Sequence, residues 1–478
     1  TIMGHLSMLL WFAKAGSSNI LPVMVPRLTA GTLLTLKISD LAATGKSIGK
    51  HDGMVVMADG GLPGEVIECE ITGVKRRYAF ARMLKVIETS PMRVEPRCRH
   101  FAVCGGCKWQ DLDYEKQVGF KRNFIVEALK RIGRLPAVPV EPTVKAVEPY
   151  YYRNKMEYSF GDDGQQPTAG LHIRGRYDAI FQLQECFLQS ERSVAALAVV
   201  RRTARQLQIP FYDYRIGRGQ LRFLVVREGK RTGDLMLNLV TFGAAFSGHD
   251  ELFKAVRREI PDLTALFQTV NEKKANVATG DELIHVSGRE YITEQIGDLT
   301  FQVTPFSFMQ TNSAQTEILY NVIRDHAQLQ ADHRLLDLFC GCGTIALYLA
   351  RQVGSVLGIE INPDAIMMAR TNAELNRIAN VDFVAADVRR ELVALKESER
   401  RFDTIITDPP RAGLEAKAVR RIARLEASRI VAVSCNPATL ARDLALFAEH
   451  GYQVTRVTPV DMFPQTAHVE AVATLVRE

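Results

Sequence analysis

Five short apolar segments, Arg334–Leu338, Ser355–Ile359, Val381–Ala385, Thr404–Thr407 and Ile430–Ser434, alternate with stretches of helical character after Phe301. Strands and helices alternating at this spacing pack best with the strands side by side and parallel and helices on both faces. This region is predicted as a doubly wound, Rossmann-like α/β sheet, with its ligand crevice beyond the carboxyl ends of the strands.

The rest of the chain reads differently. From Leu33 to Glu88, apolar runs such as Met54–Met57 and Glu65–Ile71 are separated by Gly60-Gly61, Pro63-Gly64 and Gly73. Closely spaced strands broken by glycine turns predict a small β-barrel of the kind that binds oligonucleotides. Tyr114–Gly133 follows as an amphipathic helix, with Val118, Ile125, Leu129 and Ile132 on one face and Gly133 ending it. Between Tyr150 and Glu290, strand-like segments (Gln220–Arg227, Asp234–Thr241) mix with helical ones (Arg192–Leu207, Glu251–Arg258) and carry no legible chemistry. At roughly 150 residues per domain, 478 residues predict about three domains. The expected division is an extension over 1–28, a barrel over 29–89, a central α+β domain over 90–295 and a catalytic domain over 296–478.

Apolar residues make up 47% and charged residues 24%, which excludes a disordered or fibrous chain. No apolar run approaches the ~18 residues of a membrane-spanning helix. The stretch Met8–Ala13 is too short for a secretory signal and ends at Lys14. A cytoplasmic protein with no membrane partner is expected, and a monomer is the simplest assembly. The net charge of +6 is unevenly spread: Gly73–Arg134 holds fifteen Lys or Arg against six Asp or Glu, a local +9. A basic face confined to one region is the footprint of a polyanionic partner, nucleic acid or an anionic membrane surface.

The first catalytic strand runs into Asp337-Leu338-Phe339-Cys340-Gly341-Cys342-Gly343-Thr344. Gly341 and Gly343 permit a tight turn and close backbone approach to a nucleotide-like ligand. Glu360 ends the next strand nineteen residues after Gly341, placed to bind ribose hydroxyls. The glycine pattern alone also fits a nicotinamide dinucleotide; Asp337 inside the strand and Asp387 after the third strand favour S-adenosylmethionine. The fourth strand ends in Asp408-Pro409-Pro410-Arg411, a rigid loop over the ligand edge of the sheet. Amino-methylating enzymes close a similar loop with an aromatic residue, so Arg411 argues against methylation of an exocyclic amine.

Cys435, in Ser434-Cys435-Asn436-Pro437 at the end of the fifth strand, is positioned as a nucleophile. A small buried apolar cysteine is the alternative; the company of Asp408 and the Gly343 turn favours the nucleophile. Glu470, in His468-Val469-Glu470, offers a carboxylate on or beside a late strand. Upstream, Pro305–Asn312 brings Phe306, Phe308, Gln310 and Asn312. The amides can read a base edge, and core packing explains the phenylalanines equally well. Cys98-x5-Cys104-x2-Cys107, with Cys186 far downstream, could hold zinc or a 4Fe-4S cluster. Spacing does not choose between them, and on spacing alone zinc comes first.

Taken in order, Phe308-x-Gln310-x-Asn312, Asp337-Leu-Phe339-Cys-Gly341-x-Gly343, Asp408-Pro-Pro-Arg411-x-Gly413, Ser434-Cys435-Asn436-Pro437 and His468-Val-Glu470 resemble the RNA (uracil-5-)-methyltransferase family over roughly Leu33–Glu478. The resemblance implies a TRAM-type barrel and S-adenosyl-L-methionine-dependent formation of 5-methyluridine in RNA. It makes 23S rRNA the first substrate and a tRNA T-loop uridine the second. Gln310, Phe339, Glu360, Asp387 and Asp408 match cofactor-binding positions of the family. Thr344 stands where many members carry Asn, beside an unusual Cys342. Cys435 matches the nucleophile and Glu470 the proton acceptor. Cys98, Cys104, Cys107 and Cys186 match the ligands of a 4Fe-4S cluster with no redox role in methyl transfer. Two rivals remain. A radical enzyme would want Cys-x3-Cys-x2-Cys, and a non-catalytic RNA-binding protein would have no need of intact Cys435, Asp408 and Glu470.

Overall fold

The computed structural model describes residues 28–162, 166–176 and 178–478. The expected N-terminal extension, Met8–Ala13 included, lies outside the described residues except for Leu28. Strands β1 (Leu33–Leu41), β2 (Ser47–His51), β3 (Met54–Asp59), β4 (Val66–Val74) and β5 (Tyr78–Glu88) close a barrel in the order β1-β2-β3-β5-β4. Period-two alternation produces the closure. Leu36 and Ile38, Val56 and Ala58, Ile67, Cys69 and Ile71, and Ala79 and Ala81 fill the interior. Lys75, Arg76 and Arg77 stand exposed on the β4–β5 turn.

Asp113 caps α1 (Tyr114–Ala128) by accepting a hydrogen bond from the Lys116 amide. The predicted helix does not run regularly to Gly133. Its last turn, Leu129–Gly133, widens to π form and stops at Arg134, whose φ is +55°. The wider turn carries Ile132 to the surface, 48% exposed, so it leaves the buried face formed by Val118, Ile125 and Leu129. Ile125, Ala128 and Leu129 join the core of the C-terminal sheet. Val140 and Val144, just beyond, bridge to Val457 and Val460. The segment from Tyr114 to about Val144 therefore packs with the C-terminal sheet.

The central region holds a seven-stranded sheet. Its elements are β6 (Lys155–Asp162), β7 (Pro167–His172), β8 (Ile180–Gln182), α2 (Glu191–Gln206), β9 (Leu221–Glu228), β10 (Leu235–Thr241), α3 (His249–Glu259), β11 (Ala265–Val270) and β12 (Glu282–Gly288), with strand order β12-β11-β10-β9-β6-β7-β8. Leu197 and Val200 of α2 and Leu252 and Val256 of α3 pack against Leu224 and Leu237 of the sheet. A hairpin of β13 (Ile292–Ile296) and β14 (Leu299–Val303) follows, and the expected boundary at 295/296 falls inside it.

The C-terminal elements are α4 (Ser313–Ala327), β15 (Arg334–Leu338), α5 (Thr344–Ala350), β16 (Ser355–Glu360), α6 (Pro363–Leu375), β17 (Val381–Ala385), α7 (Val388–Glu397), β18 (Thr404–Thr407), α8 (Ala416–Ala423), β19 (Arg429–Ser434), α9 (Pro437–Ala448), β20 (Tyr452–Val460) and β21 (Glu470–Arg477). The sheet order is β17-β16-β15-β18-β19-β21-β20. The five predicted strands form its parallel part, and β21 and β20 complete it antiparallel. Strand order reverses between β15 and β18, which opens the crevice at their carboxyl ends. Among the described residues, no helix is long and apolar enough to cross a membrane.

Candidate active site

The crevice is built from the loops that leave β15, β16, β18 and β19 and from the start of β21. At the end of β15, Phe339 adopts φ +64°, a left-handed conformation that costs a bulky residue about 1–3 kcal/mol. Gly343 follows at φ +76° and cannot be replaced, because a Cβ there would stand 2.6 Å from the Phe383 ring. The Gly341 amide points at Glu360 Oε2 across 3.4 Å, and Glu360 Oε1 accepts from the Asn362 amide at 2.9 Å. Thr344 opens α5 and shares a 2.6 Å hydrogen bond with the Tyr320 hydroxyl, a partner that sequence motifs did not reveal.

Asp337 is wholly buried in β15, and beyond a weak contact from the Ala346 amide its oxygens have no hydrogen-bond partner. Burial first, then the charges of Asp408 and Glu360, raise its carboxyl to about 8, with the Ala346 amide offsetting a little. Asp408, after β18, is raised to about 6 by burial. Asp387 is less available than its motif suggests. It caps α7 by accepting from the Arg389 amide, and the Arg389 side chain holds its carboxyl down to about 2. Gln310 lies on the loop before α4, where its carbonyl accepts from Asn154 Nδ2 at 2.9 Å.

Cys435 is half-buried between β19 and α9. Asn436 fixes the turn: its side chain caps α9 at the Ala438 amide and donates to the Arg411 carbonyl. Strands β19 and β21 pair antiparallel with Ser434 opposite Ala471; Cys435 follows where the chain bends out of β19, and Glu470 opens β21 one residue before Ala471. Glu470 is 4% exposed; burial, then the Asp408 charge, pushes its carboxyl up to about 8. Burial likewise pushes the Cys435 thiol up to about 11, helped by Glu470 and Asp408 and opposed by Arg411. The structure thus brings together Cys435, Glu470, Asp408 and Asp337, and Glu360 with the Gly341 turn.

Phe306 and Phe308 correct one expectation. They are 44% and 70% exposed, so core packing does not account for them. A second missed feature is the bracing of the loop before β21. Asp461 pairs with Lys121 at 2.5 Å, both side chains fully buried, and accepts from the Tyr114 hydroxyl at 3.0 Å. The Gln465 carbonyl accepts from the amides of Lys108 and Trp109, and its side chain and amide bond Gln117. Gln117 and Lys121 lie one turn apart on α1, a polar stripe beside the apolar face read from the sequence.

Cys98, Cys104 and Cys107 are buried, and Cys186 is partly buried. Each of the three buried thiols is raised, first by burial and further by facing the other cysteines, with Cys98 at about 11 and Cys107 at about 12. Gln110 Nε2 donates to Cys107 Sγ and the Gly106 amide to Cys104 Sγ, at 3.2 and 3.3 Å. Among the described residues, no three donor side chains stand at metal-holding spacing. The four-thiol donor set, with N–H groups aimed at sulfur, nevertheless has the chemistry of a thiolate-ligated metal site.

Sheet, glycine turn and edge carboxylates define an S-adenosylmethionine-dependent methyltransferase fold joined to a nucleic-acid-type barrel. Comparison with known proteins makes this more specific. Residues 268–478 match the family described as tRNA (uracil-5-)-methyltransferase, and residues 27–84 match the TRAM domain. An uncharacterized RNA methyltransferase of Halalkalibacterium halodurans is 39% identical, over 93% of this chain and 96% of its own length. Another, of Clostridium tetani, is 36% identical over 91% and 95%. The crystal structure of Pyrococcus abyssi tRNA (uracil-54, C5)-methyltransferase with S-adenosyl-L-homocysteine superposes with a TM-score of 0.74 at 31% identity, covering 92% of this chain and 99% of that one. The chain belongs to the RNA (uracil-5-)-methyltransferase family.

Proposed function

We propose that the protein methylates carbon 5 of a uridine in RNA, with Cys435 as nucleophile and Glu470 as proton acceptor. The observation that carries this reading is that β19 ends with Ser434 paired to Ala471, which leaves the next residue, Cys435, close enough to feel the charge of the buried Glu470 carboxylate. Carbon 5 of uracil is too weak a nucleophile to take a methyl group unaided. Addition of the Cys435 thiolate to carbon 6 puts the electron pair on the carbon 5 side of an enolate. S-adenosyl-L-methionine, when bound, supplies the electrophilic methyl group. Glu470 then takes the carbon 5 proton, and the pair returning to the ring expels the thiolate. Both carbons are covered in a stacked base, so the nucleotide is flipped out or already unpaired.

The residues present fit the cofactor. Asp337, at the ligand end of β15, keeps two buried carboxylate oxygens with no full hydrogen bond, and Glu360 at the end of β16 suits ribose hydroxyls. Gln310, Phe339, Gly341, Gly343, Thr344 and Asp408 would complete the site, while Asp387 would first have to loosen from Arg389. We assign 23S rRNA as first substrate on the pairing of barrel and cysteine segment. The likeness to the P. abyssi tRNA enzyme supports a T-loop uridine as the second reading. Mass mapping of 5-methyluridine in rRNA and tRNA from cells lacking the gene tests both. Loss of one rRNA site supports the first, loss from the T-loop supports the second, and loss from neither overturns the function.

The family resemblance and the four-thiol donor set lead us to propose that Cys98, Cys104, Cys107 and Cys186 hold a 4Fe-4S cluster that ties the 98–107 segment to the distant loop of Cys186 between β8 and α2. Anaerobically purified protein should contain about four irons per chain; one zinc and no iron would overturn this.

A further inference from the structure

A cavity of about 260 Å³ lies where three separate segments meet. Ala43 and Thr44 come from the barrel turn between β1 and β2, Gly105, Gly106 and Lys108 from the cysteine segment, and Arg411, Thr466, Ala467 and His468 from the catalytic loops. The three walls are locked together. Lys108 Nζ donates to the Thr44 carbonyl at 2.8 Å, and the Lys108 amide donates to the Gln465 carbonyl. A Cβ on Gly45 would stand 2.7 Å from the Lys108 stem and 3.3 Å from Ala467, so the barrel turn is clasped between them.

The charge here is one-sided. No carboxylate lines the cavity. Among the described residues, no ion pair joins a carboxylate to Lys108, Arg411, or to Arg174 and Arg153 nearby. Asp59, the acid whose charge reaches Lys108, is already paired with Lys46 at 2.6 Å. Arg174 spends its donors on the Phe101, Cys104 and Cys107 carbonyls. Burial, then the charges of Arg411, Lys121, Lys108 and Arg153, lower the His468 pKa to about 4, so its ring enters neutral pH as an uncharged hydrogen-bonding group. The cavity also borders the reaction centre: Arg411 acts on the Cys435 thiol, and His468 precedes Glu470 by two residues.

We propose that this cavity holds a phosphodiester group of the RNA beside the reacting nucleotide, gripped by Lys108 and Arg411 from opposite walls. The proposal rests on the reading of the chain as an RNA methyltransferase. It gives the barrel and the cysteine segment a direct share in placing the target, because neither wall alone encloses the anion.

Equilibrium binding of the full chain to total tRNA and to large-subunit rRNA from cells lacking the gene tests it, read as log K against log salt. Lys108→Gln should weaken binding about tenfold at low salt and reduce the slope by about 0.7–0.9, the value of one phosphate contact. Lys108→Arg should restore the slope, and binding of S-adenosylmethionine should be unchanged throughout. Arg411→Gln repeats the readout from the opposite wall should Lys108→Gln fail to fold. An unchanged slope in either folded variant overturns the cavity's role. Formation of 5-methyluridine by the wild type, measured alongside, separates the two claims. Methylation with an unchanged slope removes the phosphate site alone. A Lys108-dependent slope without methylation removes the methyltransferase reading and leaves the anion site.

Discussion

Acidic side chains crowded at the carboxyl edge of one sheet raise one another's proton affinity, and the chemistry depends on how that charge is shared. Glu470, raised to about 8 by burial and Asp408, must be ionised to act as the proposed proton acceptor. Resolution of the RNA–protein adduct should therefore speed up as pH rises toward about 8 and level off above it. Asp408→Asn removes the neighbouring charge and should shift that limb to lower pH, as single-turnover decay of the adduct would register. Asp337 makes a prediction about stability. Its folded pKa of about 8 lies above the ordinary value of 3.8, so the folded state binds this proton more tightly. Its stabilising contribution is complete below the ordinary value and is lost as pH rises through about 8. Asp337→Asn should flatten the fall in Tm over that window and weaken S-adenosylmethionine binding. An unaltered Tm profile would show that Asp337 titrates normally.

At the scale of elements, the loop from Asp461 to Glu470 joins the halves of the molecule. The buried Lys121–Asp461 pair holds it to α1, and Gln465 holds it to the residues just after Cys107. Lys121→Met leaves Asp461 as an uncompensated buried charge and should destabilise the fold by about 3–5 kcal/mol, much of it recovered in the double variant Lys121→Met/Asp461→Leu. Denaturant unfolding measures both, and equal stability of single and double variants would contradict the pairing. The parallel strands were legible because each is an apolar run bounded by turn residues. The stripe of Gln117 and Lys121 was not, since their partners lie about 340 residues away and no local pattern announces a polar group satisfied at such range. The π turn was equally hidden: Ile132 keeps helical spacing in sequence, and one extra residue in the turn moves it off the face.

For the whole molecule, the sequence separated a barrel, a cysteine-bearing middle and a catalytic end, whereas the structure packs α1 and the strand-like segment after it with the catalytic sheet. Motifs locate residues along the chain, but long-range packing decides which unit a helix joins. Cys435 and Glu470 were each legible by motif; their proximity required the pairing of two strands joined through β20. The exposed Lys75, Arg76 and Arg77 on the β4–β5 turn give the barrel a basic surface of its own. Reversing their charges should weaken RNA binding and reduce its salt slope while leaving S-adenosylmethionine affinity intact. An unchanged slope would exclude this turn from the RNA path.

In the proposed reaction Cys435 attacks carbon 6 of a uracil whose carbon 5 receives the methyl group. Fluorine at carbon 5 leaves no proton for Glu470 to remove, so the adduct should persist. The wild type should therefore be incubated with S-adenosylmethionine and 5-fluorouridine-substituted RNA, digested and mapped by mass. The expected product is a methylated fluorouridine nucleotide attached to the peptide bearing Cys435, and none after Cys435→Ala. Attachment at another residue, or an adduct that survives Cys435→Ala, would contradict it.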